Sequence, residues 1–143
     1  MNARDLLRKQ LIERFRYRVR FLTVEQNVAL IRRLLRNVSP GSKGCALWQC
    51  AVTGGGYPRL NMRLHGQHHS LAAHRLAWQL SSGGGDIPHW KEVAHDCDTP
   101  PCIHPDHLQA QRRRDNRVKS AQNTNRKKAV RRATPNTKQM AAD

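Results

Sequence analysis

Four cysteines, at 45, 50, 97 and 102, and eight histidines are the side chains best suited to chemistry in this sequence. Cys97, Cys102 and His107 stand at C-x4-C-x4-H spacing. Such a close Cys/His set, completed by a more distant fourth ligand, is how tetrahedral zinc staples a small loop-rich region. Two disulfides are the alternative use of four cysteines, and nothing in the sequence signals the secretion that would favour them.

These residues need elements to position them. Asp98, Pro100, Pro101 and Pro105 sit at turn positions, so the segment from Cys97 to His107 should be irregular. Glu92, Val93 and Ala94 lead as a strand into His95, Leu108 should anchor the loop, and a helix is expected from near Arg112. Asn116 would then lie about one turn into that helix. Upstream, Cys45 to Val52 is a short apolar run, and Gly54, Gly55 and Gly56 turn the chain. Leu60, Met62 and Leu64 then alternate with Arg59, Asn61 and Arg63. That strand has one apolar face and one basic or amide-bearing face. It suits either a half-buried strand with a solvated side or a β-ribbon laid on DNA, where Arg and Asn reach base edges. Residues 70–80 read as a helix with Leu71, Leu76, Trp78 and Leu80 in the core, broken by Ser81 to Gly85. His65, His68, His69 and His89 are assigned to loops.

Near the N-terminus, Leu7, Leu11, Phe15, Val19 and Leu22 recur at helical spacing. Phe15, Tyr17, Val19 and Phe21 also alternate with arginines, a strand pattern, but the helix is favoured. Thr23-x-x-Gln26 is a capping box. It opens a helix with Val28, Ile31, Leu34, Leu35 and Val38 on its apolar stripe, which Ser39-Pro40-Gly41-Ser42 ends.

The 143 residues carry a net charge of +16, unevenly spread. Residues 1–37 hold ten basic and three acidic side chains, residues 112–143 eleven and two, and the middle five of each. A neutral centre between basic flanks points to a polyanion, because Lys and Arg that neutralise phosphates release counterions. Nucleic acid is the first partner class and an anionic membrane surface the second. No apolar run approaches a membrane span and no signal peptide is recognisable, so a cytoplasmic, non-secreted protein is expected. Beyond residue 121 large apolar side chains are nearly absent, and disorder unless bound is expected there.

The order His95-x-Cys97-x4-Cys102-x4-His107-Leu108, with Asn116 behind it, resembles the zinc-bound branch of the ββα-metal (HNH, or His-Me finger) nucleases. It is most like the His-Cys box homing endonucleases and related phage HNH enzymes. Gly44-Cys45-Ala46-Leu47-Trp48, Gly56-Tyr57-x-Arg59 and Ala73-His74-Arg75-Leu76 also resemble family segments. The resemblance spans residues 44–120. It implies an α+β fold: a zinc-stapled ββα-metal core at 44–120, a basic helical arm at 1–43 and a basic tail at 121–143.

The function so implied is Mg²⁺-dependent endonucleolytic hydrolysis of double-stranded DNA, in the host cytoplasm if phage-encoded, with a homodimer left open. His95 would act as the neutral imidazole that deprotonates water, and Asn116 would offer a carbonyl oxygen to Mg²⁺. Cys45 would join Cys97, Cys102 and His107 on zinc, and His74 would assist the base. Arg59, Asn61, Arg63 and Arg75 are the implied DNA contacts, Arg59 and Arg75 matching family positions best. Cys50 departs from the family, where Gly is common. Its odd separation from Cys45 points the two side chains to opposite faces, so one alone should reach the metal. No cysteine follows Cys102, so the second zinc cluster of some His-Cys box enzymes is missing. His104 falls where the family has Asn and is read as a non-ligand. Residue by residue, His95 could instead be a zinc ligand, His74 a core histidine and Asn116 a helix-surface residue. The other readings of the whole are a packaging or restriction nuclease, or a non-catalytic zinc-structured nucleic-acid-binding protein. Against the last stands the presence of both His95 and Asn116.

Overall fold

The computed structural model describes residues 1–133; the last ten residues of the basic tail lie outside the described residues. Helix α1 (Ala3–Arg14) starts at Asn2, whose side chain accepts from the Asp5 amide, and it buries Leu7 and Leu11. The helix expected to run on through Leu22 stops at Arg14. Phe15, Val19 and Leu22 are nevertheless buried. The physical reason is that tertiary partners take the backbone polar groups of residues 17–22. The buried Asn27 amide accepts from Val19 N at 2.8 Å and donates to the carbonyls of Val19 and Leu22, both at 3.2 Å. Tyr17 N donates to Leu80 O and Arg20 N to Gly84 O. Gly84 is required there: its φ is +74°, and a Cβ would meet Arg18 O at 1.8 Å.

Helix α2 (Val24–Arg36) opens with the expected capping box, both reciprocal hydrogen bonds of Thr23 and Gln26 being present. Its buried face is Asn27, Leu30 and Leu34. Val28, expected on the stripe, is 45% exposed, because the stripe is rotated to let Asn27 serve the preceding loop. Arg4 donates to the carbonyls of Arg36 and Val38, and Arg8 to that of Leu35. Two cations of α1 thus satisfy two of the orphan carbonyls at the end of α2, those of Leu35 and Arg36. Val38–Pro40, expected as the end of the helix, is instead strand β1, antiparallel to β2 (Ala46–Trp48).

Strand β3 (Arg59–Leu64) buries Leu60, Met62 and Leu64 as its alternation requires. It pairs with β4 (Gln67–Ala72) through a tight turn in which both His65 and Gly66 have positive φ. β4 takes residues 70–72 from the expected helix and places His68 and His69 on a strand rather than in a loop. Helix α3 (Ala73–Ser81) follows and buries His74, Leu76 and Leu80. β5 (Lys91–His95) then pairs antiparallel with β6 (Leu108–Arg112), His95 opposite Leu108. The irregular loop between them ends in a 3₁₀ turn at Pro105–His107.

Helix α4 (Arg113–Ala133) runs well past residue 121, into the stretch expected to be disordered. Its Ala, Lys, Arg and Gln are strong helix formers, and that propensity prevails over the shortage of large apolar residues. The fold is therefore α+β, with three two-stranded antiparallel sheets among the described residues. One buried cluster joins Leu7, Leu11 and Leu34 to Trp48, Leu60, Leu76, Leu80 and Ile103. No described helix is long and apolar enough to cross a membrane.

Candidate metal centre and the adjoining cleft

The outer edge of β2 brings the distant cysteine to the loop. Ile103 N donates to Ala46 O at 2.8 Å and Trp48 N to Pro101 O at 2.9 Å, with Leu47 bridged to Cys102. A left-handed turn at Lys43 and Gly44 delivers Cys45 into the same place. The ligand atoms of Cys45, Cys97, Cys102 and His107 consequently lie within 4.8 Å of one another. His107 Nδ1 is 3.5 Å from both Cys45 Sγ and Cys102 Sγ. Tetrahedral zinc with ~2.3 Å sulfur and ~2.0 Å nitrogen bonds separates such atoms by about 3.5 Å. The donor set therefore fits, and this Cys₃His cluster could hold a structural metal such as zinc. Burial pushes the Cys102 thiol up to about 12 and raises that of Cys45, so a metal ion must displace their protons to bind.

Two neighbouring candidates are outside the cluster. Cys50 is exposed. His104 is buried, stacks on His107 with ring centroids 5.0 Å apart, and accepts from the Asp106 amide at 3.2 Å.

The Cys102 backbone links this centre to a cleft. His95, at the end of β5, places Nε2 2.8 Å from Cys102 O. A carbonyl only accepts, so Nε2 carries the proton and Nδ1 is the unprotonated nitrogen of the neutral ring. The cleft, about 480 Å³, is lined by His95, His74, Tyr57, Arg59, Arg75, Glu92 and Asn116. The His74 and His95 rings are 5.1 Å apart, and Tyr57 lies 5.8 and 5.9 Å from them. His74 is only 7% exposed and its Nδ1 has no hydrogen-bond partner. Burial, with smaller contributions from the charges of His95, Arg75 and Arg59, lowers its pKa to about 3. Burial also lowers that of His95, while the Cys102 carbonyl, Asp96 and Asp98 pull the other way.

Asn116 sits one turn into α4, as expected from the sequence. Its Nδ2 donates to Glu92 Oε1, and its Oδ1 accepts from Gln111 Nε2 at 3.2 Å. Arg59 and Arg75 line the cleft. Asn61 and Arg63 do not, standing exposed on the outer face of β3. Glu92 and Asp98 are cleft carboxylates that sequence reasoning did not place there, since a lone carboxylate on a strand or in a turn has no spacing signature. Lys119, Asn123 and Lys127 also line it. They follow Asn116 at helical intervals, a signal visible once α4 is extended past residue 121. Comparison of the chain with protein-family models, curated proteins and solved structures returns no match.

Proposed function

We propose that this protein is a metal-dependent DNA endonuclease of the ββα-metal (HNH) type, acting on double-stranded DNA. One observation carries the reading. A histidine whose tautomer is set by a carbonyl of the metal cluster shares a cleft with an asparagine amide and two arginines. His95 Nδ1 takes the proton from the attacking water, and burial keeps the ring neutral for that task. Arg59 and Arg75 bind and orient the scissile phosphate. Tyr57 and His74 pack beside His95 and restrict its ring. Asn116 Oδ1 and the Glu92 carboxylate are hard oxygen donors among the cleft's lining residues, a type that suits a divalent cation such as Mg²⁺. A cation bound there would act as a Lewis acid on the phosphate and stabilise the leaving 3′ oxygen. The outer face of β3, with Arg63 and Asn61, would lie along the duplex. A homing endonuclease is the setting we favour, by analogy with small basic proteins of that type.

A second reading, a non-catalytic zinc-structured nucleic-acid-binding module, is favoured by the two hydrogen bonds that already occupy the Asn116 amide. Plasmid nicking separates the two. The nuclease nicks supercoiled DNA with Mg²⁺ and not without it. His95→Ala should keep metal content, fold and DNA affinity while cleavage falls about 10²–10⁴-fold, the usual worth of a positioned base. No Mg²⁺-dependent nicking by the wild type would leave the binding module.

A further inference from the structure

Trp90 stands just before β5 with 47% of its surface exposed, and the cleft reading gives it no task. Lys91 Nζ lies 4.9 Å and Arg112 Cζ 5.9 Å from its ring centroid. The Arg113 amide donates to Trp90 O at 3.1 Å, tying the tryptophan backbone to the start of α4. Trp90, His89, Arg112, Arg113, Arg114 and Arg117 line a groove of about 800 Å³, to which no carboxylate contributes. An open indole among arginines adds little to a core. It is, however, the pairing that grips an unpaired nucleotide: the ring takes the base face and the cations take the phosphates.

Duplex phosphates alone would engage the arginines and leave the indole with no partner on the DNA, only its Lys91 and Arg112 contacts. The groove also lies next to the cleft. Asn116, Lys119, Asn123 and Lys127 of α4 line the cleft, while Arg113, Arg114 and Arg117 of the same helix line the groove. Trp90, just before β5, and His95, at its end, are about 17 Å apart at ~3.3 Å per residue. That is a few nucleotides along a strand.

We propose that the Trp90 groove binds an unpaired stretch of DNA, with one base stacked on Trp90 and its flanking phosphates held by Arg112, Arg113, Arg114 and Arg117. This goes beyond the cleavage reading and requires no catalysis. The test measures binding by the metal-loaded full chain, without added magnesium, to a blunt duplex and to the same duplex with a single-stranded thymidine tail. The tail should tighten binding and quench tryptophan fluorescence. Trp90→Ala should weaken binding of the tailed duplex about ten-fold and leave the blunt duplex unchanged. Trp90→Phe should retain most of the affinity and lose the quenching, which also reports on the groove if the alanine variant folds poorly. Equal weakening on both duplexes, or no quenching by the tail in the wild type, would overturn the proposal. Nicking by the wild type is decided separately, so either reading can fail without the other.

Discussion

His74 is held where a charge is disfavoured, buried beside His95, Arg75 and Arg59. Its folded pKa of about 3 lies below the ordinary 6.5, so below pH 6.5 the unfolded chain binds a proton that the folded chain refuses. Stability is therefore fully present above 6.5 and is lost as pH falls toward 3, by at most about 1.4 kcal/mol per pH unit. Urea unfolding of the wild type and His74→Gln between pH 7.5 and 5 should show the wild type losing more. Parallel losses would mean that His74 is charged or hydrated in the fold. Residues differ in how far the sequence exposes them. Cys97, Cys102 and His107 are legible because three metal-ligand side chains stand at close spacing in one short loop. Cys45 is legible only through the resemblance, since nothing in the spacing joins residue 45 to residue 102. His74 is open to two readings in the sequence, and its unpartnered Nδ1 in the cleft separates it from a satisfied core histidine.

The candidate metal centre is built by the residue entering β2 and the loop after β5, elements that do not otherwise form one sheet. Structural zinc contributes about 10–16 kcal/mol in small domains, so one ligand of four is a large share. Cys45→Ser should lose zinc to a competing chelator and lower the melting temperature sharply, whereas Cys50→Ser should keep both. Elemental analysis and thermal melts read the difference, and a Cys50→Ser protein that loses zinc would reassign the fourth ligand. The same elements show what local pattern can and cannot reveal. The capping box at Thr23 and the alternation of β3 are short-range signals, and the fold keeps both. β1, β4 and β6 are set by partners across a turn or a loop, so their own residues carry weak signals. β4 reads Gln-His-His-Ser before Leu71, with no apolar alternation for a strand to announce. The end of α1 is hidden for another reason: the Asn27 amide and the Leu80 and Gly84 carbonyls compete for the backbone beyond it from far along the chain.

Across the whole molecule, part of the first basic flank is taken up inside the fold, although the two flanks look alike in sequence. Arg4, Arg8 and Arg33 in the first flank are bound to main-chain carbonyls of Arg36, Val38, Leu35 and Asn61. They hold α1, α2 and β3 together and are poorly placed to release phosphate counterions. The second flank puts Lys119 and Lys127 on the cleft and Arg113, Arg114 and Arg117 on the Trp90 groove. If the protein binds DNA as proposed, α4 and the residues after it should supply a large part of the salt-dependent affinity. Removing residues 121–143 deletes six Lys and Arg. Each phosphate that is no longer neutralised should flatten the plot of log K against log salt by about 0.9, so the slope should change by up to ~5. Arg4→Gln should leave that slope alone and instead lower stability by about 0.5–1.5 kcal/mol, the net worth of hydrogen bonds from an exposed side chain. DNA titrations at four or five salt concentrations, paired with denaturant melts, measure both quantities on the same proteins. A truncated chain with an unchanged slope, or an Arg4→Gln chain with a flatter one, would move the proposed DNA-binding surface from α4 to the N-terminal helices.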